Sequence, residues 1–219
     1  MRILITAGPT REYIDTVRYL SNDSSGRMGV AIAVAAQERG HRVTLIHGPL
    51  QVAVPPELNT VSVVSAAEML AACVDAWPQH DALIMAAAVA DYRPAARLDH
   101  KHKKTATPLT LELAPTADIL ARLGREARPD QTLIGFALED RDPRAAAERK
   151  LQSKNLDAIV LNAPIAIAAA SSRVEILERD GAWRSLPESD KALTAIHIVE
   201  LAERCAEMKM RRPTRPDRV

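Results

Sequence analysis

The chain has 219 residues, of which 47% are hydrophobic, enough for one large domain or two small ones with a buried core. Its 29 basic and 28 acidic residues give a formal net charge of +1, so composition provides no general attraction to nucleic acid or to an anionic membrane. No signal-peptide layout opens the sequence, and no apolar run is long enough to span a bilayer. We therefore expect a cytoplasmic protein that binds neither nucleic acid nor membrane.

The first half of the chain alternates short β-type runs with helical stretches. Strands are predicted at residues 2–8, 42–48 and 82–90, and helices at 26–39 and 66–77. Strands separated by helices of this length indicate right-handed βαβ crossovers and a mainly parallel sheet with helices on both faces. The prediction is a Rossmann-like α/β fold.

The second half continues this alternation after a long polar segment. Residues 91–108 lack an apolar period, which is typical of a lid or binding loop, or else of a disordered segment. Strands are predicted at 109–113, 132–138 and 156–164, helices at 117–127, 143–155 and 188–208, and a hairpin at 173–187 that turns at Asp180-Gly181. Residues 1–210 are expected to form one domain with this hairpin as a dimerisation extension, followed by a flexible basic tail at 211–219.

Cys73 and Cys205 lie far apart in apolar, helix-like contexts. They match no paired metal spacing, so buried free thiols are favoured over a reactive pair.

The stretch SNDSSGRMG, residues 21–29, lies in front of the first predicted helix. Together with Gly8 at the end of the first strand, its Ser24, Ser25 and Gly26 have two interpretations. They form an ordinary helix start, or they present backbone N–H groups to a phosphate at the carboxyl edge of the sheet.

A polar segment, REYIDTVRYL, connects the turn at Gly8 with the stretch 21–29. It must fold back over the end of the first strand and bring Arg11, Arg18 and Asn22 near the glycine turn. Guanidinium groups suit bidentate contacts with carboxylate or phosphate, and an Asn amide can donate to a developing oxyanion. The alternative is that the arginines form surface ion pairs with Glu12 or Asp15.

Reduction with a nicotinamide cofactor is disfavoured. No G-x-G-x-x-G follows the first strand, the second strand ends in His47 where an acidic residue would bind the ribose, and no Tyr has a Lys four residues later.

Two groups of lysines are candidate anion ligands. The loop DHKHKK, residues 99–104, is a cationic loop that could close over a triphosphate, or a solvated charge run, and its interleaved ammonium groups disfavour metal binding by the histidines. Lys150 and Lys154 share one helix face, either towards solvent or as a second wall of an anion site.

Six blocks in a fixed order carry a family resemblance: LITAGPTREYIDTVRYLSNDSSGRMG, AAAVADYRP, KHKK, PTADIL, GFALE and KNLDAIVLN. They closely resemble phosphopantothenoylcysteine synthetase over about residues 3–162. The resemblance implies a ligase that activates the carboxylate of 4′-phosphopantothenate with CTP, forms an acyl-cytidylate with release of pyrophosphate, and transfers the acyl group to L-cysteine. It also implies Mg²⁺, held mostly by nucleotide phosphates and water rather than by a protein metal site, and a homodimer.

The resemblance assigns roles residue by residue. Asn22 and Arg18 fall on the family's active-site Asn and essential Arg, and Lys101 falls on its catalytic loop lysine. The nucleotide contacts fall on Met85, Ala86, Ala87, Asp91, Lys101, Ala117, Asp118, Ile119, Leu120, Phe136, Lys150 and Lys154.

The chain departs from the family pattern in two places. APTADI replaces the usual KNPDI, and NAPIAIAAASSR replaces a segment that contributes dimer and phosphopantothenate contacts. A non-catalytic or altered-specificity nucleotide-binding relative is therefore the alternative. Because no flavin-binding half precedes Met1, we expect a stand-alone ligase without FMN and a separate phosphopantothenoylcysteine decarboxylase as pathway partner.

Overall fold

The computed structural model describes residues 1–162, 171–172 and 174–211. The predicted tail lies outside these residues except for Arg211, and most of the divergent segment after Asn162 lies outside them too.

The described residues form a mainly parallel sheet flanked by small hairpins. In chain order the strands are β1 (Arg2–Ala7), β2 (Arg11–Tyr13), β3 (Tyr19–Ser21), β4 (Arg42–His47), β5 (Asn59–Ser62), β6 (Ala82–Met85), β7 (Tyr92–Pro94), β8 (Leu113–Pro115), β9 (Thr132–Leu138), β10 (Ala158–Asn162), β11 (Ser171–Ser172), β12 (Val174–Glu178), β13 (Trp183–Ser185) and β14 (Ser189–Asp190). The main sheet has the order β13-β12-β10-β9-β6-β1-β4-β5. β12 and β13 are antiparallel additions at one end, and the remaining strands are parallel.

Helices cover both faces of this sheet. They are α1 (Arg27–Glu38), α2 (Ala66–Ala76), α3 (Ile119–Glu126), α4 (Pro143–Ser153) and α5 (Lys191–Arg211). Since successive strand side chains alternate between faces, β1 contributes Ile3 and Ile5 to a core shared with α1 and α5, and Leu4 to a second core shared with α2, α3 and α4. The predicted Rossmann-like α/β fold is confirmed.

Local chemistry explains where several helices begin. The Ser65 side chain accepts a hydrogen bond from the backbone of Glu68 at the start of α2, and Asp118 accepts one from Ala121 at the start of α3. Pro143 occupies the first turn of α4, where its missing N–H is not needed. At the start of α5, the Asp190 side chain accepts a hydrogen bond from the backbone N–H of Leu193.

The predicted strands at 82–90 and 109–113 were wrong in extent. β6 ends at Met85, because the alanine run that follows leaves the sheet and crosses over the end of β1. From the second segment, only Leu113 is in a strand, within β8. Edge strand β5 and the hairpin β2–β3 were not predicted, since both consist of three or four residues with little apolar alternation.

Both cysteines are buried free thiols, as predicted, and burial raises the pKa of each to about 12. Among the described residues, every helix is too short or too polar to cross a bilayer.

Candidate active site

The candidate site lies at the point in the sheet where the strand order changes direction, between β1 and β6. β1 is flanked by β4 on one side and by β6 on the other, so the connections that follow β1 and β6 diverge to opposite ends of the sheet. Parallel α/β sheets bind ligands at such a switch point, outside the carboxyl ends of the strands. The predicted residues in 8–26 and 85–91 lie along this edge.

Three glycines shape the connection from β1 to α1. Gly8 and Gly26 have φ of 75° and 76°, the left-handed region that favours glycine, and a Cβ on Gly26 would lie 3.2 Å from Gly8 Cα. A Cβ on Gly29 would lie 2.5 Å from Ala7 Cβ. The turn at Gly8 and the helix–strand contact at Gly29 correspond to those of the first and third glycines of the dinucleotide fingerprint, with the inserted residues 9–25 after Gly8. Because this insertion separates the glycines in sequence, they form no contiguous G-x-G-x-x-G motif.

The inserted residues form the β2–β3 hairpin, and Asn22 follows its second strand. The Asn22 Nδ2 atom donates hydrogen bonds to the carbonyl oxygens of Ala88 and Val89, at 3.2 and 2.9 Å. The candidate catalytic residue is therefore attached directly to the loop after β6, next to the candidate nucleotide-binding residues Met85–Ala87. With both amide hydrogens engaged, Asn22 Oδ1 remains the available polar atom of this side chain.

Two buried threonines hold the loop after β6 in place. Ala87 N donates to Thr6 Oγ1 at 3.2 Å, and Ala90 N donates to Thr10 Oγ1 at 3.0 Å. Ala86 N and Ala88 N donate to the carbonyl oxygens of Thr6 and Gly8. Sequence reasoning missed both threonines, and their position just before and after the Gly-Pro turn was the available signal.

Arg18 connects the hairpin to the long loop that carries Lys101. Its Nη2 donates to the carbonyl oxygen of His102, and its Nε lies 3.5 Å from Asp15 Oδ2. The surface ion pair considered for Arg18 is thus present, although Asp15 itself is buried. Arg11 instead stacks over the Tyr19 ring at 4.5 Å.

Asp15 is the anchor of this connection. Its Oδ1 accepts hydrogen bonds from the backbone N–H groups of Arg18 and Val17, both at 2.7 Å, and its Oδ2 accepts one from His102 N at 3.1 Å. The N–H of Arg18, followed by that of Val17, lowers the pKa of Asp15 to about 2. Because its folded-state pKa is depressed, this carboxylate stabilises the arrangement above its ordinary pKa near 3.8, and the contribution is lost as pH falls through about 2.

We expect Asp15→Asn to release the loop from the hairpin selectively. An Asn oxygen can still accept from Val17 and Arg18, but its amide group cannot accept from His102 and carries no charge. Hydrogen exchange at the His102 amide should accelerate about tenfold at neutral pH, the loss of one hydrogen bond to a charged group. Unchanged protection of this amide would contradict the anchoring role.

The second lysine pair faces the start of α3. Lys154 Nζ lies 2.8 Å from Asp118 Oδ2, and Lys150 Nζ lies 2.5 Å from Glu139 Oε1. Burial raises the pKa of Asp118, but the hydrogen bonds from Lys154 and from Ala121 N lower it by more, so the net pKa is below its ordinary value. Lys150 and Lys154 therefore form one wall beside the N-terminus of α3 rather than a purely solvated face.

The other predicted site residues differ in burial and in the face of the sheet on which they lie. The side chains of Ile119 and Leu120 are buried in the core, so a ligand could meet only their backbone. Phe136 packs against the core on the α1 and α5 face, opposite the face that carries α3 and α4. Asp91, Lys101 and Ala117 are exposed, and the backbone carbonyl of Asp91 accepts a hydrogen bond from Thr116 N.

The fold and its glycine-lined switch point define a Rossmann-like α/β domain. Within that class, the chain belongs to the family described as DNA/pantothenate metabolism flavoprotein C-terminal domain, which it matches over residues 1–205. The predicted resemblance to phosphopantothenoylcysteine synthetase is confirmed at the level of the family.

Individual relatives agree with this membership. The chain is 43% identical to the coenzyme A biosynthesis bifunctional protein CoaBC of Bacillus subtilis over 203 residues, which are 90% of this chain and 50% of that protein. It is 48% identical over 162 residues, 74% of this chain and 45% of the relative, to a cysteine/cysteine sulfinic acid decarboxylase of an unknown prokaryotic organism. The chain spans about half the length of these curated relatives.

A solved structure matches over nearly the whole of both chains. It is the C-terminal domain of a CoaBC protein, 40% identical, with a TM-score of 0.82 and coverage of 94% of this chain and 96% of that one. The described arrangement of sheet and helices is therefore that of the CoaBC C-terminal domain.

Proposed function

We propose that this protein is a phosphopantothenate–cysteine ligase that uses CTP. The observation that carries the proposal is the pair of hydrogen bonds from Asn22 to Ala88 and Val89, which joins the candidate catalytic residue to the candidate nucleotide loop. Membership of the family and the resemblance of the motifs supply the substrates: 4′-phosphopantothenate, CTP and L-cysteine.

The loop after β6 suits the amino group of a nucleobase. Its N–H groups at Ala86, Ala87 and Ala88 are used by Thr6 and Gly8, whereas the carbonyl oxygens of Ala86 and Ala87 accept no hydrogen bond among the described residues. Cytosine and adenine both present an exocyclic amine donor. The structure thus supports a base with such a donor, and the family resemblance favours CTP.

The reaction proposed is a two-step acyl transfer. A carboxylate oxygen of 4′-phosphopantothenate attacks the α-phosphorus of CTP and pyrophosphate leaves; the amine of cysteine then attacks the acyl carbon, and CMP leaves with the bonding electrons. Catalysis of this kind needs positioning and charge neutralisation rather than an enzyme nucleophile. Lys150, Lys154, Arg18 and Lys101 supply positive charge around the nucleotide, and Asn22 orients the reacting acyl group.

Mg²⁺ fits this scheme as an ion carried by the nucleotide. Among the described residues no group of three or more His, Cys, Asp or Glu side chains is placed to hold a metal. In the proposed reaction Mg²⁺ is bound through phosphates and water. When bound, it would neutralise phosphate charge.

The assay for the proposal is pyrophosphate release from 4′-phosphopantothenate, CTP, Mg²⁺ and cysteine, with mass spectrometry of the amide product. Omitting cysteine separates activation from amide formation, and ATP in place of CTP tests the nucleotide. Absence of pyrophosphate release with both nucleotides would refute the ligase and leave the non-catalytic nucleotide-binding relative.

Lys101→Ala should weaken CTP binding, or slow its activation, by about tenfold, because one charge-assisted contact to phosphate is lost. Arg42→Ala removes the same charge at the opposite edge of the sheet and serves as the control. Isothermal titration with CTP and single-turnover rates would measure both effects. Equal behaviour of the two variants would mean that the 99–104 loop is only a solvated charge run.

We further propose a homodimer and a separate or linked decarboxylase that consumes the product. Exposed apolar side chains support an interface on the two small hairpins, with Val17 and Tyr92 each 56% exposed and Leu113 44% exposed. This favours β2–β3 and β7–β8 over the predicted C-terminal hairpin, whose strands β12 and β13 extend the main sheet.

A further inference from the structure

Asn155 follows the C-terminus of α4 and has a left-handed backbone, with φ of 56°. Its N–H donates to the carbonyl oxygen of Gln152, and the N–H of Leu156 donates to that of Leu151. These two bonds form a Schellman motif, whose left-handed position is usually glycine because a side chain there is strained. The backbone alone favours glycine at this position, so the carboxamide of Asn155 is the feature that needs a reason.

The Asn155 carboxamide joins the end of α4 to two other parts of the fold. Its Nδ2 donates to the carbonyl oxygen of Gly124, in the last turn of α3, at 3.0 Å. Its Oδ1 accepts a hydrogen bond from Arg179 Nη2 at 2.9 Å, and Arg179 Nε donates to the carbonyl oxygen of Leu156 at 3.0 Å. Both polar atoms of the side chain are therefore engaged, and they hold the end of α4 against α3 and against the residue that follows β12.

The end of α4 approaches α3 most closely at Gly124. A Cβ on this residue would lie 2.0 Å from the carbonyl oxygen of Lys154, so a larger residue would push the two backbones apart. This approach matters because Lys154 Nζ lies 2.8 Å from Asp118 Oδ2, at the N-terminus of α3. Asp118 and Gly124 are six residues apart, which is about 9 Å along a helix axis. The Lys154 side chain must therefore extend along α3, and it loses its reach if its backbone moves away.

We infer that Asn155 is a positioning residue that holds the Lys154 ammonium at the N-terminus of α3. Helix ends fray readily, and the bond from Asn155 to Gly124 ties the frayed end of α4 to its neighbour. Asn155 contacts the end of α3 opposite Asp118, so it acts through Lys154 and not by touching a ligand. The inference rests on the proposed function only for the ligand, since Lys154 is one of the cations proposed to face the nucleotide.

Asn155→Gly is the variant that separates the carboxamide from the backbone. Glycine keeps the left-handed conformation and the Schellman bonds but removes both side-chain contacts. The position of Lys154 is read from Asp118: burial raises the pKa of this carboxyl, and its hydrogen bonds with Lys154 and with Ala121 N lower it by more. In Asn155→Gly the pKa of Asp118, followed by the ¹³C shift of its carboxyl group, should rise towards that in Lys154→Met. An Asp118 pKa that rises in Lys154→Met but stays unchanged in Asn155→Gly would overturn the inference.

A double-mutant cycle tests whether Asn155 acts on the nucleotide through Lys154. Lys154→Met should weaken CTP binding by about tenfold, the loss of one charge-assisted contact. Asn155→Gly should weaken it by about threefold, because the ammonium is present but no longer held. In a Lys154→Met background the same change should alter CTP affinity by less than about 1.5-fold, since residues that act through one another are not additive.

Asn59→Gly is the matched control for this cycle. It removes a carboxamide that donates to Thr44 Oγ1 at 3.2 Å on the far edge of the sheet, and it should change neither the pKa of Asp118 nor CTP affinity. Arg179→Gln, which removes the guanidinium bound to Asn155 Oδ1, takes the place of Asn155→Gly if that variant does not fold.

An Asn155→Gly effect of equal size with and without Lys154 would overturn the inference, as would an unchanged CTP affinity. Neither the titration of Asp118 nor CTP binding requires turnover. If the wild type forms no amide product while both measurements still depend on Asn155, the positioning role stands and the ligase proposal falls.

Discussion

Asn22→Ala is expected to lower the rate of amide formation by about 10²-fold, the cost of misplacing reacting groups by about 1 Å, while CTP affinity changes by less than about threefold. The reason is geometric. Asn22 donates to Ala88 and Val89, beyond the Met85–Ala87 stretch proposed to contact the base, so its loss affects the position of the acyl group more than nucleotide binding. Rapid-quench measurement of each step, with CTP titration in parallel, would separate the two effects.

A matched pair of variants sharpens this experiment. Asn22→Asp keeps the size of the side chain but cannot donate to two carbonyl oxygens, so it should be at least as impaired as Asn22→Ala. Asn59→Ala removes an exposed amide at the far edge of the sheet and should leave both steps unchanged. If CTP affinity and amide formation fall together in both Asn22 variants, Asn22 merely structures the loop.

Gly29→Ala is expected to reduce the free energy of unfolding by about 3 kcal/mol, the upper part of the range for overpacking. The added Cβ would lie 2.5 Å from Ala7 Cβ and 2.9 Å from the carbonyl oxygen of Thr6, and β1 is a central strand that cannot shift without its neighbours. In a helix without such a contact, the same change stabilises by about 1 kcal/mol. In a urea unfolding experiment, a lower free energy of unfolding for Gly29→Ala indicates overpacking against β1, and a higher one indicates a gain in helix propensity alone.

Ala145→Gly supplies the baseline for that measurement. Ala145 is exposed in α4, so the variant reports helix propensity alone and should cost about 1 kcal/mol. A Gly29→Ala protein as stable as the wild type would show that α1 can move away from β1, and the close helix–strand contact would lose its structural role.

The parallel sheet was predictable because buried strands and amphipathic helices have strong, regular periods. The segment 132–138 became β9 without change, and the Asp180-Gly181 turn lies between β12 and β13. The strand predicted at 82–90 is too long, because a run of alanine and valine has the same composition whether it forms a strand or a loop held by side chains. The hydrogen bonds that hold this loop are donated by the backbone N–H groups of Ala87 and Ala90 to the hydroxyl oxygens of Thr6 and Thr10, some eighty residues earlier in the chain.

The sequence indicated which residues form the candidate site but not which of them contact one another. Motif resemblance selected Asn22 and Arg18, yet no local pattern indicates that Asn22 binds the Ala88–Val89 backbone or that Arg18 reaches His102. The low exposure of Lys191, 8%, was not predicted, since a lysine near the start of an amphipathic helix normally faces solvent.

The inserted hairpin separates the residues that shape the scaffold from those proposed to act in the site. A connection that in simpler dinucleotide-binding domains takes a few residues has become a small module, bounded at its two ends by Gly8 and Gly26. The bounding glycines preserve the scaffold, while the interior carries Arg18 and Asn22. Replacements within the module can therefore change the candidate site without disturbing the contact between Gly29 of α1 and Ala7 of β1.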